Sequence, residues 1–245
     1  MTVLAARSAA ASLTERIAQL SWPQLAAELD ASGTARVPAL LSALECAALA
    51  GCYANAALFR SRIVMAQHGF GRGEYQYFAY PLPALVAQLR AALYPPLATI
   101  ANRWHEALQL EARFPPQHGD FLERCHRAGQ TRPTPLLLRY ATGDYNCLHQ
   151  DLYGEHVFPL QLTLLLSSPR TDFRGGEFVV TEQRPRAQSR VEVVTLERGD
   201  AVVFASRYRP GQGARSAHRL TMRHGVSPVH AGERYTLGIV FHDAL

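Results

Sequence analysis

The chain has 245 residues, 48% hydrophobic and 18% charged, with a formal net charge of +5 at pH 7. That length buries a sizeable core, and no apolar run reaches the length of a membrane span, so the composition excludes a membrane helix and predicts a soluble globular protein. All 25 basic residues are arginine; the guanidinium fork pairs with phosphates and carboxylates and suits an anionic substrate, although GC-rich coding bias is the plainer reason for the missing lysines.

Four cysteines, Cys46, Cys52, Cys125 and Cys147, have no C-x-x-C spacing and are too sparse for a disulfide scaffold. Reduced thiols in a cytoplasmic protein are the expectation. The Ala-rich start carries Arg7 but no long apolar core with a cleavage site, and reads as a leader into a first helix rather than a signal peptide.

In chain order, "SLTERIAQLSWPQLAAELDASG" carries apolar residues at helical spacing and stops at Gly33, and "LLSALECAALAGCYANAAL" repeats the pattern. The segment "HGFGRGEYQYFAYPLP", residues 68–83, reads as a loop leading into a hairpin arm or strand. A third helical run, "PALVAQLRAALYPPLATIANRWHEALQLEARF", is expected to break or kink at Pro95-Pro96. From residue 136 the texture changes to short β-branched and apolar runs between turn signals. About eight strands are predicted, near "LLLRYA", "DYNCLH", "FPLQLTLLL", "GEFVVTE", "RVEVVTL", "DAVVFAS", "HRLTMRHGV" and "RYTLGIVFH". Without helices between them they imply a sandwich or barrel such as a jelly roll. The expected organisation is one integrated domain: a helical support region over 1–135 with an arm near 68–83, and a β core over 136–245.

Two His-x-Asp pairs stand out, His118-Gly119-Asp120 and His149-Gln150-Asp151. With 10 histidines and 20 acids, about one His-x-acid pair arises by chance, so the pattern alone is weak. Asp120 precedes a helical pattern and reads as an N-cap in a turn. His149 and Asp151 lie in a strand, where residues i and i+2 project from the same face and can offer two metal ligands together.

Downstream, "HGVSPVHAGERYT" places His224 at a strand end and Arg234 ten positions later. With "RYATGDYNCLHQD", "RGGEFVV" and "LERGDAVVF", this ordered set resembles the double-stranded β-helix dioxygenases dependent on Fe(II) and 2-oxoglutarate, in their prolyl 4-hydroxylase-like branch, over residues 136–243. More narrowly, the chain resembles bacterial oxygenases predicted to repair alkylated nucleic-acid bases. The resemblance implies a mainly β double-stranded β-helix (jelly roll, cupin-like) with N-terminal helices. It also implies Fe(II), 2-oxoglutarate and O2 as cofactor and co-substrates, with His149, Asp151 and His224 as metal ligands. Arg234, Thr236 and Tyr140 would hold the 2-oxoglutarate. Two imidazoles and a carboxylate occupy one face of an octahedral Fe(II), which is why these residue types occur together. His218 and His230 compete with His224 for the distal position.

Three functions follow as expectations. They are oxidative dealkylation of a nucleic-acid base, hydroxylation of a prolyl, peptidyl or small-molecule C–H bond, and a non-enzymatic cupin-like metal-binding sensor. Nucleic acid is a partner under the first, no membrane is expected under any, and nothing in the sequence specifies an oligomeric state. The arginines of "RYRPGQGARSAHRLTMR", namely Arg207, Arg209, Arg215, Arg219 and Arg223, read either as a solvated run or as a basic rim to the site. In the 68–83 arm, Arg72 interleaves with Phe70, Tyr75, Tyr77, Phe78 and Tyr80, a pattern that suits phosphate contact and base stacking; core packing of most of those rings is the plainer reading.

Overall fold

The computed structural model describes residues 11–184, 187–212 and 217–245. The first ten residues and Arg215 lie outside the described residues. Helices α1 (Leu13–Ala18) and α3 (Ala43–Gly51) each open with a capping box, Ser12 with Glu15 and Ser42 with Glu45. These boxes satisfy backbone N–H groups that a helix start leaves unpaired. Arg16 of α1 then reaches both oxygens of Glu45, at 3.0 and 2.6 Å, tying the two helix starts together. Between them α2 (Trp22–Ser32) ends at Gly33, where φ is +80°, and the chain turns into strand β1 (Thr34–Val37). The helix stop expected at Gly33 is found there.

Strands β2 (Phe59–Val64), β3 (Gly71–Arg72) and β4 (Glu74–Phe78) precede the long helix α4 (Ala84–Ala107) and α5 (His118–Arg127). Then follow β5 (Leu136–Ala141), β6 (Tyr145–His149), β7 (Leu160–Leu165), β8 (Phe173–Gly175) and β9 (Phe178–Gln183). The last five are β10 (Arg190–Val194), β11 (Ala201–Ala205), β12 (Tyr208–Gly211), β13 (His218–Val226) and β14 (Val229–Ile239).

They form two antiparallel sheets. The larger runs β1-β11-β7-β14-β5-β4-β2, with β8 on β14; the smaller runs β10-β9-β13-β6-β3, with β12 on β13. This is the jelly-roll architecture expected for the β core. Every residue of β7 is buried, as a strand covered on both faces requires. β1, β2 and β4, from the first half of the chain, extend the larger sheet past the eight predicted strands.

Two local expectations are corrected. Helix α4 runs through Pro95 and Pro96 without ending. Tyr94, Leu93 and Leu97 beside them are fully buried, so packing holds the helix although the two prolines remove two hydrogen bonds. Asp120 is not an N-cap: Gln117 occupies that position and Asp120 sits in the first turn of α5. Among the described residues, no helix is long and apolar enough to cross a membrane.

The C-terminal strand end is anchored to the helices by a buried polar cluster. Arg90 of α4 donates to Asp243 at 2.7 Å, and Asp243 also accepts from Tyr80 at 2.9 Å and binds the His126 ring at 2.8 Å. This anchor fixes the far end of β14, the strand that also carries Arg234.

Candidate active site

The register of β6 against β13 sets His149 directly opposite His224. Their ring centroids are 4.2 Å apart. Asp151 follows just past the end of β6, so the i, i+2 relation survives even though the strand itself stops at His149. Its carboxylate lies 3.5 Å from His149 Nε2 and 3.3 Å from His224 Nε2. One donor atom from each of the three falls within 4.8 Å of the others, a spacing that one metal ion can bridge.

Each of the three candidate ligands is oriented. His149 Nδ1 lies 2.7 Å from the Cys147 carbonyl, so that nitrogen carries the proton and Nε2 is left as the ligand atom. The His224 ring is packed by Phe204 and Phe178, with centroids 4.6 and 6.0 Å away. Burial, then the neighbouring His149, holds His224 below the usual histidine range and favours the neutral, metal-binding form. For Asp151 burial works toward protonation. It is outweighed by the adjoining His224 and His149 rings, His224 through a hydrogen bond first, and by a hydrogen bond from Tyr153, which keep the carboxyl well below its usual range. The Tyr153 hydroxyl donates to Asp151 at 2.7 Å and receives a hydrogen bond from Tyr77 at 3.1 Å.

The other end of the same cavity is cationic. Arg234 on β14 is 2% exposed and faces Tyr140 across the β14–β5 pair. Its guanidinium carbon lies 5.6 Å from the Tyr140 ring centroid and 5.9 Å from that of Phe173. Arg234 Nε and Nη1 are buried without a hydrogen-bond partner among the described residues. Burial pushes its pKa down to about 10, which leaves it protonated at neutral pH. An isolated buried cation is costly unless an anion answers it. Gly176 completes the cradle: its φ is +65°, and a β-carbon there would lie 2.9 Å from Arg234 Cδ. Thr236 projects from the same strand face, and Asn146 donates to the Tyr140 hydroxyl at 3.3 Å.

The cavity, about 200 Å³, is lined by all six residues expected from the sequence: His149, Asp151, His224, Tyr140, Arg234 and Thr236. Asn146, Tyr153 and Gln161 also line it and were not anticipated, and so does Tyr75, which the sequence had singled out only as a ring of the 68–83 arm. Tyr153 lies two residues after Asp151, a proximity that could have flagged it; Gln161 and Tyr75 reach the cavity through sheet pairing alone.

The competing residues lie elsewhere. His118 is buried with Nε2 2.8 Å from the Phe241 carbonyl, and His218 and His230 are exposed. Within the arginine run, Arg209 is buried and paired with Glu182, so it is structural and not part of a rim. Arg207, Arg219 and Arg223 are exposed, and the Arg207 carbonyl accepts from Gln150, the residue between two of the ligands, at 3.2 Å. In the 68–83 arm Tyr77 and Phe78 are core residues, whereas Phe70 is 47% exposed.

Comparison with known proteins places these features in a family. Residues 73–244 match the Oxygenase-NA family, described as "Oxygenase, catalysing oxidative methylation of damaged DNA". Uncharacterized proteins from two Mycobacterium tuberculosis strains are each 50% identical over 167 residues, covering 68% of this chain and 72% of theirs. Among solved structures, a Pseudomonas putida prolyl-4-hydroxylase is similar with a TM-score of 0.55 at 18% identity, over 91% of this chain and 99% of that one. A 2OG-Fe(II) oxygenase family protein from Burkholderia pseudomallei gives a TM-score of 0.56 at 17% identity, over 92% and 93%. At these identities the structural likeness speaks for the fold.

Proposed function

The chain belongs to the Oxygenase-NA family, and from that premise we propose that it is a 2-oxoglutarate-dependent Fe(II) dioxygenase that removes alkyl groups from damaged nucleic-acid bases by oxidation. One observation carries the assignment of roles: a His-Asp-His group and an unpaired buried arginine lie in one cavity. The donor set fits Fe(II), and the orphaned guanidinium fits the carboxylate of a dicarboxylate co-substrate.

In this reading His149, Asp151 and His224 hold the iron, which when bound supplies O2 activation coupled to decarboxylation of 2-oxoglutarate. Arg234 binds the far carboxylate of 2-oxoglutarate through paired N–H donors, with the Thr236 and Tyr140 hydroxyls beside it. Tyr153 restrains Asp151, and the Phe178 and Phe204 rings keep water from His224. For a methylated base, N–CH3, 2-oxoglutarate and O2 become N–CH2OH, succinate and CO2. The hydroxymethyl group then leaves as formaldehyde and returns the proton to nitrogen. The family description names damaged DNA, and an oxygenase acting on a methyl group takes it off by this route.

The test is 2-oxoglutarate turnover with methylated and unmethylated single-stranded oligonucleotides. The proposal expects stimulation by the methylated strand alone, with formaldehyde matching the added succinate. Succinate formation with no formaldehyde from any methylated oligonucleotide, and stimulation by a proline-containing peptide instead, would move the substrate to the peptidyl class. No turnover of 2-oxoglutarate at all would favour the metal-binding sensor.

A further inference from the structure

At the mouth of the cavity the segment His68-Gly69-Phe70-Gly71-Arg72 presents an aromatic ring that the fold itself does not use. Phe70 lines the cavity yet is 47% exposed. Of the large aromatic side chains this exposed, Tyr80 is the other, and its hydroxyl is tied to Asp243. Phe70 has no polar group to satisfy. Its only aromatic neighbour is His68, stacked at 5.3 Å between centroids and 22° between planes.

The backbone under this ring is held firmly. Phe70 N donates to Met65 at 3.1 Å, and its carbonyl accepts from Cys147 at 2.9 Å, two residues before the ligand His149. Gly71 has φ +128°, and a β-carbon there would overlap the Tyr145 carbonyl oxygen, so only glycine lets β3 approach β6 this closely. Arg72, next on the strand, is exposed.

We infer that Phe70, backed by His68, is a fixed stacking platform for a single unpaired base at the site mouth, with Arg72 beside it for the adjoining phosphate. The inference rests on the nucleic-acid reading above and specifies how that substrate is gripped. Stacking on an aromatic face tolerates any base, while a neighbouring cation tracks the backbone. A base acted on by an enzyme must leave its stack in the duplex, and an exposed ring beside the reacting centre replaces the lost stacking.

The experiment measures binding of two single-stranded oligonucleotides by fluorescence anisotropy, one with a central methylated base and one abasic at that position. The phosphates are the same in both, so the affinity ratio isolates the base. Wild type should prefer the base-containing strand by about fivefold or more, the lower end of what one stacked base contributes. Phe70→Ala should bring the ratio to about one, and Phe70→Trp should restore it. Arg72→Ala should weaken both strands alike and flatten the salt dependence. A ratio that survives in Phe70→Ala, or one that Phe70→Trp fails to restore, overturns the platform. If wild type releases formaldehyde while Phe70→Ala keeps the ratio, the platform alone fails. If no methylated strand yields formaldehyde, the substrate reading fails and the platform with it.

Discussion

Arg234 and Tyr140 face each other across the β14–β5 pair, and the guanidinium has aromatic faces around it but, among the described residues, no hydrogen-bonded carboxylate; Glu177 acts on it only through space. The fold thus places a cation without a hydrogen-bonded anion, among the described residues, at one end of a cavity whose other end gathers two imidazoles and a carboxylate. Arg234→Leu should leave iron bound and raise the 2-oxoglutarate requirement, because truncating one partner of a buried charge pair costs about 2 to 5 kcal/mol. Gly176→Ala should act in the same direction by pressing on Arg234 Cδ. Initial rates against 2-oxoglutarate concentration decide it. An unchanged Michaelis constant in Arg234→Leu refutes the carboxylate role.

Metal content after reconstitution separates the ligands from their competitors. Asp151→Ala and His224→Ala should lose iron, since either change leaves two donors. Asp120→Ala, His218→Ala and His230→Ala should retain it, because those residues lie outside the cavity lining. Iron lost in His218→Ala and kept in His224→Ala would show the distal strand to be misassigned.

Tyr153→Phe keeps the ring and removes the hydroxyl that donates to Asp151 at 2.7 Å. Groups that orient a metal ligand typically contribute about 10- to 100-fold to metal affinity. The variant should bind Fe(II) more weakly by that order, with altered absorption of a Co(II)-substituted protein. Tyr77→Phe, one bond further out, should have a smaller effect. Equal affinity in wild type and Tyr153→Phe removes the hydroxyl from the site.

The sequence made the gathering of the candidate ligands in one cavity legible because the family pattern imposes order: two close residues, a glycine pair, a distal histidine and an arginine ten residues on. Strand β13 was predicted with its observed limits for a similar reason, since its apolar alternation faces a buried interior. What stayed hidden depends on pairing over long sequence separations. β1 is four residues long and is a strand because β11 lies beside it. β8 and β12 are as short and likewise depend on β14 and β13. Pro95-Pro96 looked like a helix break because local propensity omits the burial of Tyr94. Arg209 looked like surface charge because its partner Glu182 lies 27 residues away.

Asp243 should make stability acid-sensitive. Burial works to raise its pKa, but the charge of Arg90 and hydrogen bonds from His126, Arg90 and Tyr80 lower it overall. A depressed folded pKa means the stabilisation is present above the ordinary aspartate range, near 4, and is lost as pH falls through the folded value. Asp243→Asn leaves Arg90 buried and unpaired, a loss of about 3 to 5 kcal/mol at neutral pH. Denaturant midpoints should therefore show a gap between wild type and variant that is widest near pH 7 and narrows below about pH 4. A gap independent of pH contradicts the ion-pair account.

The most direct measurement is a crystal structure of the protein with Fe(II) and 2-oxoglutarate, grown and frozen without oxygen. The metal should sit on His149 Nε2, His224 Nε2 and the Asp151 carboxylate, with the far carboxylate of 2-oxoglutarate paired to Arg234 beside Thr236 and Tyr140. Metal bound away from these three side chains, or a co-substrate carboxylate that leaves Arg234 unpaired, would contradict the account.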